Sequence, residues 1–232
     1  MDASDTPRLR VRIRRSDPGA PSTFEVSRFE PMTVLDVLMA VHREQDASVA
    51  FRFSCRVAMC GTCTIRVNGR SVLACQSVVD AQTTELYLEP AAGLPVVRDL
   101  VVDMTPFWDE WARVKPYLVP AAEMLEPAVV DPESPERRAI DDSLDCIQCG
   151  ACFSSCGIAG LDRHFIGPAA LNRAMVLISD SRDEAAEERL AIVTGADGVD
   201  RCHNIFGCTN VCPKGLDPAR AIRAMRTGRS WS

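Results

Sequence analysis

Apolar and polar positions repeat with different periods in the two halves of the chain. Leu9-Arg10-Val11-Arg12-Ile13 alternates apolar and basic, and Thr23-Phe24-Glu25-Val26 alternates again beyond the turn-forming Asp17-Pro18-Gly19; both read as strands. Thr33, with Asp36 three residues on, forms a capping box ahead of Val34, Leu35, Leu38 and Val41. That spacing follows a helix and not a strand. Strands are expected again at Thr64–Val67 and Ser71–Leu73, joined by the hairpin signal Asn68-Gly69, and at Glu85–Glu89. The order predicts a small mixed sheet wrapped around one helix. Pro90, Gly93, Pro95 and Pro106 punctuate a linker. Beyond it the period becomes helical. Phe107–Trp111 starts a short helix, Pro168 sits in the first turn of Ala169–Ile178, and Glu184–Val193 forms another. Asp217-Pro218 caps a final helix through Ile222 and Met225.

Length and composition narrow the class. At 232 residues the chain suits one large domain or two of ordinary size, with 47% hydrophobic residues to build a core. A net charge of −6 argues against a nucleic-acid partner, which needs a clustered basic excess. No run approaches 18 apolar residues, and MDASDTPRLRVRIRR has no apolar stretch of the secretory kind. The chain is therefore expected on the cytoplasmic side, with any membrane role coming through partners.

The 11 cysteines change the picture most. An odd number cannot all pair, and ten of them fall in tight clusters, a grouping that points to metal. Cys55, Cys60, Cys63 and Cys75 are spaced C-x4-C-x2-C-x11-C, the plant-type spacing for a [2Fe–2S] cluster. A tight loop wraps three thiolates round one side of a flat rhomb, and the fourth arrives from the far end of a hairpin. Gly61 lets the backbone approach the sulfides, and Arg56 adds positive charge. Zinc prefers paired C-x2–4-C hooks, which this loop matches poorly.

Cys146, Cys149, Cys152 and Cys156 have the bacterial ferredoxin spacing, in which the first three ligate one cluster and the fourth serves the other. The second run keeps that spacing as Cys202, Ile205, Cys208 and Cys212-Pro213, with Ile205 where a cysteine is due. Under the crossover rule, Cys146, Cys149, Cys152 and Cys212 make a complete [4Fe–4S] site. Cys156, Cys202 and Cys208 supply only three ligands, and isoleucine cannot coordinate iron, so [3Fe–4S] is expected there. Every cysteine is then used. One thiolate fewer removes negative charge, which raises that cluster's reduction potential. The expected fold is α+β: an N-terminal β-grasp, plant-type ferredoxin domain over residues 1–105, then an all-α, two-cluster bacterial-ferredoxin-like domain over 106–232.

This arrangement resembles the iron–sulfur subunit of the succinate dehydrogenase/fumarate reductase (complex II) family. The likeness rests on Ser54-Cys55-Arg56, Cys60-Gly61-Thr62-Cys63, Arg98–Asp103, Phe165–Leu171 and Cys212-Pro213-Lys214-Gly215. It implies an electron-transfer subunit without an organic substrate site of its own. The implied partners are a flavoprotein carrying FAD, which interconverts succinate and fumarate, and a membrane anchor that binds quinone. The chain would then sit peripherally on the cytoplasmic face of the cell membrane, held by the anchor. The family's quinone-side positions fall on His203, Ile205 and Lys214, beside the three-iron site. Gly157 stands where the family usually has proline, and Gly157–His164 lacks the tryptophan of ubiquinone-linked members. Gly160-Leu161 is similar to the fumarate-reductase branch, which favours menaquinone.

Other residues stay open to two readings. His203 follows a cluster ligand, so it is either a hydrogen-bond donor to a sulfide or carbonyl, or a quinone contact. Trp108 and Trp111 read as core or subunit interface. Arg220, Arg223 and Arg226 form a basic stripe that is solvated or faces an anionic membrane surface. The alternative to a complex II subunit is a free-standing electron carrier, or the wire of a related, thiol-linked fumarate reductase; co-purification of partners separates them.

Overall fold

Strand β1 (Arg8–Ile13) buries Leu9, Val11 and Ile13 and turns its arginines outward, as its alternation requires. The computed structural model describes residues 8–17, 19–120 and 130–228, so Pro18 of the expected first turn lies outside them. β1 pairs antiparallel with β2 (Ser22–Ser27) and parallel with β5 (Glu85–Glu89). β5 also pairs antiparallel with β3 (Thr64–Val67). β3 runs into β4 (Arg70–Leu73) through Asn68 and Gly69, whose φ values of 48° and 82° suit a tight hairpin turn. The sheet order is β2-β1-β5-β3-β4. Helix α1 (Val34–Glu44) is capped reciprocally: Asp36 N–H donates to Thr33 Oγ1 at 3.2 Å and Thr33 N–H to Asp36 Oδ2 at 2.8 Å. Its buried face is Val34, Leu35, Val37, Leu38 and Val41.

The span expected as a linker is folded. Within it, β6 (Val96–Arg98) and β7 (Val101–Val102) form a small antiparallel pair around Asp99, which is buried at a φ of 48°. The Asp99 carboxylate accepts from Ser16 N–H at 3.1 Å, Ala50 N–H at 2.9 Å and Arg15 Nε at 3.1 Å. A single acid thus ties three stretches of chain together, so the segment packs where its prolines and glycine suggested a passing strand of coil. Residues 1–104 form one compact unit and 105–232 a second.

Among the described residues the second unit is helical: α2 (Thr105–Arg113), α3 (Pro135–Leu144), α4 (Ala151–Ser154), α5 (Gly157–Leu161), α6 (Gly167–Ile178), α7 (Ala186–Val193), α8 (Gly207–Asn210) and α9 (Pro218–Thr227). α6 is its hub, buried along nearly its whole length and packed against α2, α3, α7 and α9. α3 has no apolar stripe to announce it; Ser134 caps it, accepting from Arg137 N–H at 3.1 Å, and Ile140 anchors it. α7 starts later than its sequence suggests because Asp183 takes up the Ala185 N–H at 2.9 Å and forms a fully buried ion pair with Arg189. Of the two tryptophans, Trp111 is buried beside Phe107, whereas Trp108 is exposed. No helix among the described residues is long and apolar enough to cross a membrane.

Candidate metal centres

The loop at Cys55 is shaped by its backbone. Arg56, Ala58 and Gly61 have φ values of 61°, 56° and 69°, which curl the chain so that successive N–H groups point inward. Val57, Met59 and Cys60 N–H donate to Cys55 Sγ at 3.4, 3.3 and 3.4 Å. Such donors stabilise a thiolate. The Arg56 guanidinium lies over the Phe53 ring at 5.2 Å. Cys60 is exposed, and hydrogen bonds from Thr62 and the Cys55 backbone pull its thiol down to about 6. Cys63 is buried, and loss of water pushes its thiol up to about 12, with Cys75 and Cys60 adding repulsion. All 11 cysteines lie among the described residues, and none forms a disulfide.

The other seven cysteines divide between two pockets. Cys146, Cys149, Cys152 and Cys212 line one, of about 410 Å³ counting its open mouth. Cys156, Cys202 and Cys208 line the other, of about 350 Å³ on the same measure, together with His203 and Ile205. Two short helices cause this division. Cys152 lies in α4, with Cys156 just past its end; Cys208 lies in α8, with Cys212 just past its end. Each helix therefore sends one thiol to each pocket. The two runs also share a backbone conformation: Gln148 and Asn204 have φ of 55° and 54°, and Gly150 and Phe206, which open α4 and α8, have 76° and 60°. Phe206 holds a left-handed conformation that its type disfavours, with Arg223 stacked on its ring at 5.4 Å. Between the runs, a Cβ on Gly207 would lie 2.7 Å from the Ser155 carbonyl oxygen, so only glycine lets α8 approach α4 this closely.

The donor sets fit iron–sulfur groups. Burial pushes the Cys152 thiol well up and Cys208 up to about 11, so these sulfurs ionise only beside a cationic partner. No three His, Cys, Asp or Glu side chains among the described residues close round a single metal ion. The thiols stand instead round cavities, as ligands of a multi-atom core do. Asn172, 1% exposed, lines the four-cysteine pocket with its Nδ2 buried and unpartnered. An amide N–H stranded without an acceptor costs about 1–3 kcal/mol, and a sulfide in the cavity would supply one. Asn172 interrupts an otherwise apolar helix face, the signal by which the sequence could have marked it.

The positions expected on the quinone side separate. His203 and Ile205 are exposed at the three-cysteine pocket, and Lys214 lines the four-cysteine pocket. Thr209 hydroxyl donates to Asp217 at 2.6 Å beside Cys208, joining α8 to the cap of α9.

Comparisons with known proteins agree with this layout. Residues 10–109 match the family model of a 2Fe-2S iron-sulfur cluster binding domain, and residues 142–216 that of a 4Fe-4S dicluster domain. A mitochondrial succinate dehydrogenase (ubiquinone) iron-sulfur subunit 2 from Oryza sativa subsp. japonica is 40% identical over 93% of this chain and 73% of its own length. The succinate dehydrogenase iron-sulfur subunit of Paracoccus denitrificans is 38% identical over 87% of this chain and 78% of its own. A chain of the Mycobacterium smegmatis Sdh1 complex in the apo form shares the fold, with a TM-score of 0.83 at 23% identity over 96% of this chain and 95% of that one. With two metal-binding domains in this order and such relatives along nearly its whole length, the chain belongs to the family of succinate dehydrogenase iron–sulfur subunits.

Proposed function

We propose that this chain relays electrons between the FAD of a partner flavoprotein and quinone in a membrane-associated succinate dehydrogenase/fumarate reductase. Its first unit is a β-grasp domain in which Cys55, Cys60, Cys63 and Cys75 hold [2Fe–2S]. In the all-α second domain, Cys146, Cys149, Cys152 and Cys212 hold [4Fe–4S], and Cys156, Cys202 and Cys208 hold [3Fe–4S]. The observation that carries the reading is the four-and-three division of the second set of thiols between two pockets. When bound, these groups supply one-electron redox chemistry. The protein's own part is to fix their spacing through α4 and α8, to direct N–H groups at sulfur, and to withhold a fourth ligand at Ile205.

An anchor subunit would hold the chain peripherally at the cytoplasmic face of the membrane, with His203, Ile205 and Lys214 on the quinone side. The rice relative is named for ubiquinone; the Gly157–Leu161 turn, α5, carries glycines and no tryptophan, which favours menaquinone here. Iron and acid-labile sulfide assays on the purified complex test the cluster set, with about nine irons per chain expected. Low-temperature EPR of the oxidised complex, kept anaerobic, is expected to show a three-iron signal. Its absence would overturn the ligand count.

A further inference from the structure

Asn172 is a buried polar residue at a candidate cluster site to which this function assigns no role. It sits in α6 among buried apolar neighbours, 1% exposed, and its side chain lines the cavity ringed by Cys146, Cys149, Cys152 and Cys212. One end of the amide is engaged: Ser143, on α3 and itself 4% exposed, donates its hydroxyl to Asn172 Oδ1 at 3.1 Å. The other end, Nδ2, is buried with no partner. The orientation has an electrostatic reason. The carbonyl end of an amide would be repelled by a ring of thiolates, whereas its N–H end is attracted.

We propose that Asn172 donates an amide N–H to a sulfur of the group held by those four cysteines and raises its reduction potential, with Ser143 as the positioning residue. The inference rests on the [4Fe–4S] reading of this pocket. Adding an electron makes such a cluster more negative, so a hydrogen bond to its sulfur strengthens on reduction and favours the reduced form. Burial enlarges the effect, because no water screens the donor. The Ser143 hydroxyl keeps the carbonyl end turned away, so the N–H end faces the cavity without cost in side-chain freedom at the moment of reduction.

The test is an EPR-monitored redox titration of the intact complex, comparing wild type with Asn172→Leu, which keeps the side chain's branch at Cγ but has no donor. The four-iron midpoint is expected to fall in Asn172→Leu, and to fall by less in Ser143→Ala, where the amide survives but loses its anchor. The three-iron midpoint is expected to hold in both. Pulsed EPR of the reduced wild-type complex, labelled with ¹⁵N in asparagine side chains, supplies a measurement that needs no variant; a ¹⁵N coupling to the four-iron signal is expected and disappears in Asn172→Leu. An unchanged midpoint with the cluster retained, or no ¹⁵N coupling in wild type, overturns the proposal. A wild-type complex with no reduced four-iron signal overturns the cluster assignment itself, and the proposal with it.

Discussion

Ile205 occupies the position of a cysteine in a backbone that still has a cysteine's geometry, since its run repeats the φ pattern of the run at Cys146. It is 67% exposed at the mouth of the pocket it lines, so nothing in the core depends on its being apolar. Ile205→Cys is therefore expected to fold and to take up about one more iron per chain, converting the three-iron EPR signal. An unchanged signal would mean that the new thiol points away. Arg189 is the opposite case, a charge with no exposure at all. It donates to the carbonyls of Val114, Lys115 and Tyr117 at 3.1, 3.1 and 2.6 Å and pairs with Asp183. Arg189→Met leaves the buried Asp183 charge without its counter-ion, with only the Val119 and Ala185 N–H groups to meet it, which costs about 3–5 kcal/mol. For a chain of this size that lowers the Tm by on the order of 10 °C, measured by thermal unfolding. Adding Asp183→Leu is expected to restore part of the loss.

At the level of elements, the β6–β7 pair and the turn after α1 share one electrostatic knot. The Asp46 carboxylate accepts from the Ser48 hydroxyl and N–H and from Arg15, which hold it down to about 2. Burial opposes ionisation of Asp99, but the N–H groups of Ala50 and Ser16 and the Arg15 guanidinium outweigh it, so its pKa is lowered too. A carboxyl whose folded pKa is depressed stabilises the fold fully above its unfolded value of about 4 and loses that contribution as pH falls. The Tm difference between wild type and Asp46→Asn is expected to be full above about pH 4 and to vanish near pH 2, where Asp46 itself protonates. A difference that stays constant across that window would show that the pair contributes shape and not charge.

At the scale of the whole molecule, the chain's task is to pass electrons to a partner, and the proposed function puts the exit to quinone on the side of His203, Ile205 and Lys214. A quinone being reduced takes up protons as well as electrons, so its carbonyl oxygens need donors nearby. His203 is exposed beside Ile205 at the three-cysteine pocket, while Lys214 flanks Cys212 at the other. His203→Ala is expected to lower menaquinone-linked turnover of the complex on the order of 10²-fold, and Lys214→Ala by less. Turnover with a dye that draws electrons upstream is expected to stay near that of wild type in both. Equal losses with dye and quinone would assign these residues to cluster support.

The cysteine spacings, the Ile205 vacancy, the Thr33–Asp36 box, the Asn68-Gly69 hairpin and the Asp217-Pro218 cap are all decided within a few residues of chain, by short-range sterics and hydrogen bonding. The sequence therefore determined them without help from the rest of the fold. Three things waited for tertiary structure. Parallel pairing of β1 with β5 joins segments too far apart for any local pattern to announce. Helix α3 has no apolar stripe, because Ser143 and Ile140 meet the core only where α6 supplies it. Arg189, Asp99 and Asn172 are polar residues that a pattern assigns to the surface. Each is buried because partners distant in sequence accept or donate the hydrogen bonds it would otherwise make to water, or because a cavity gives it something to face.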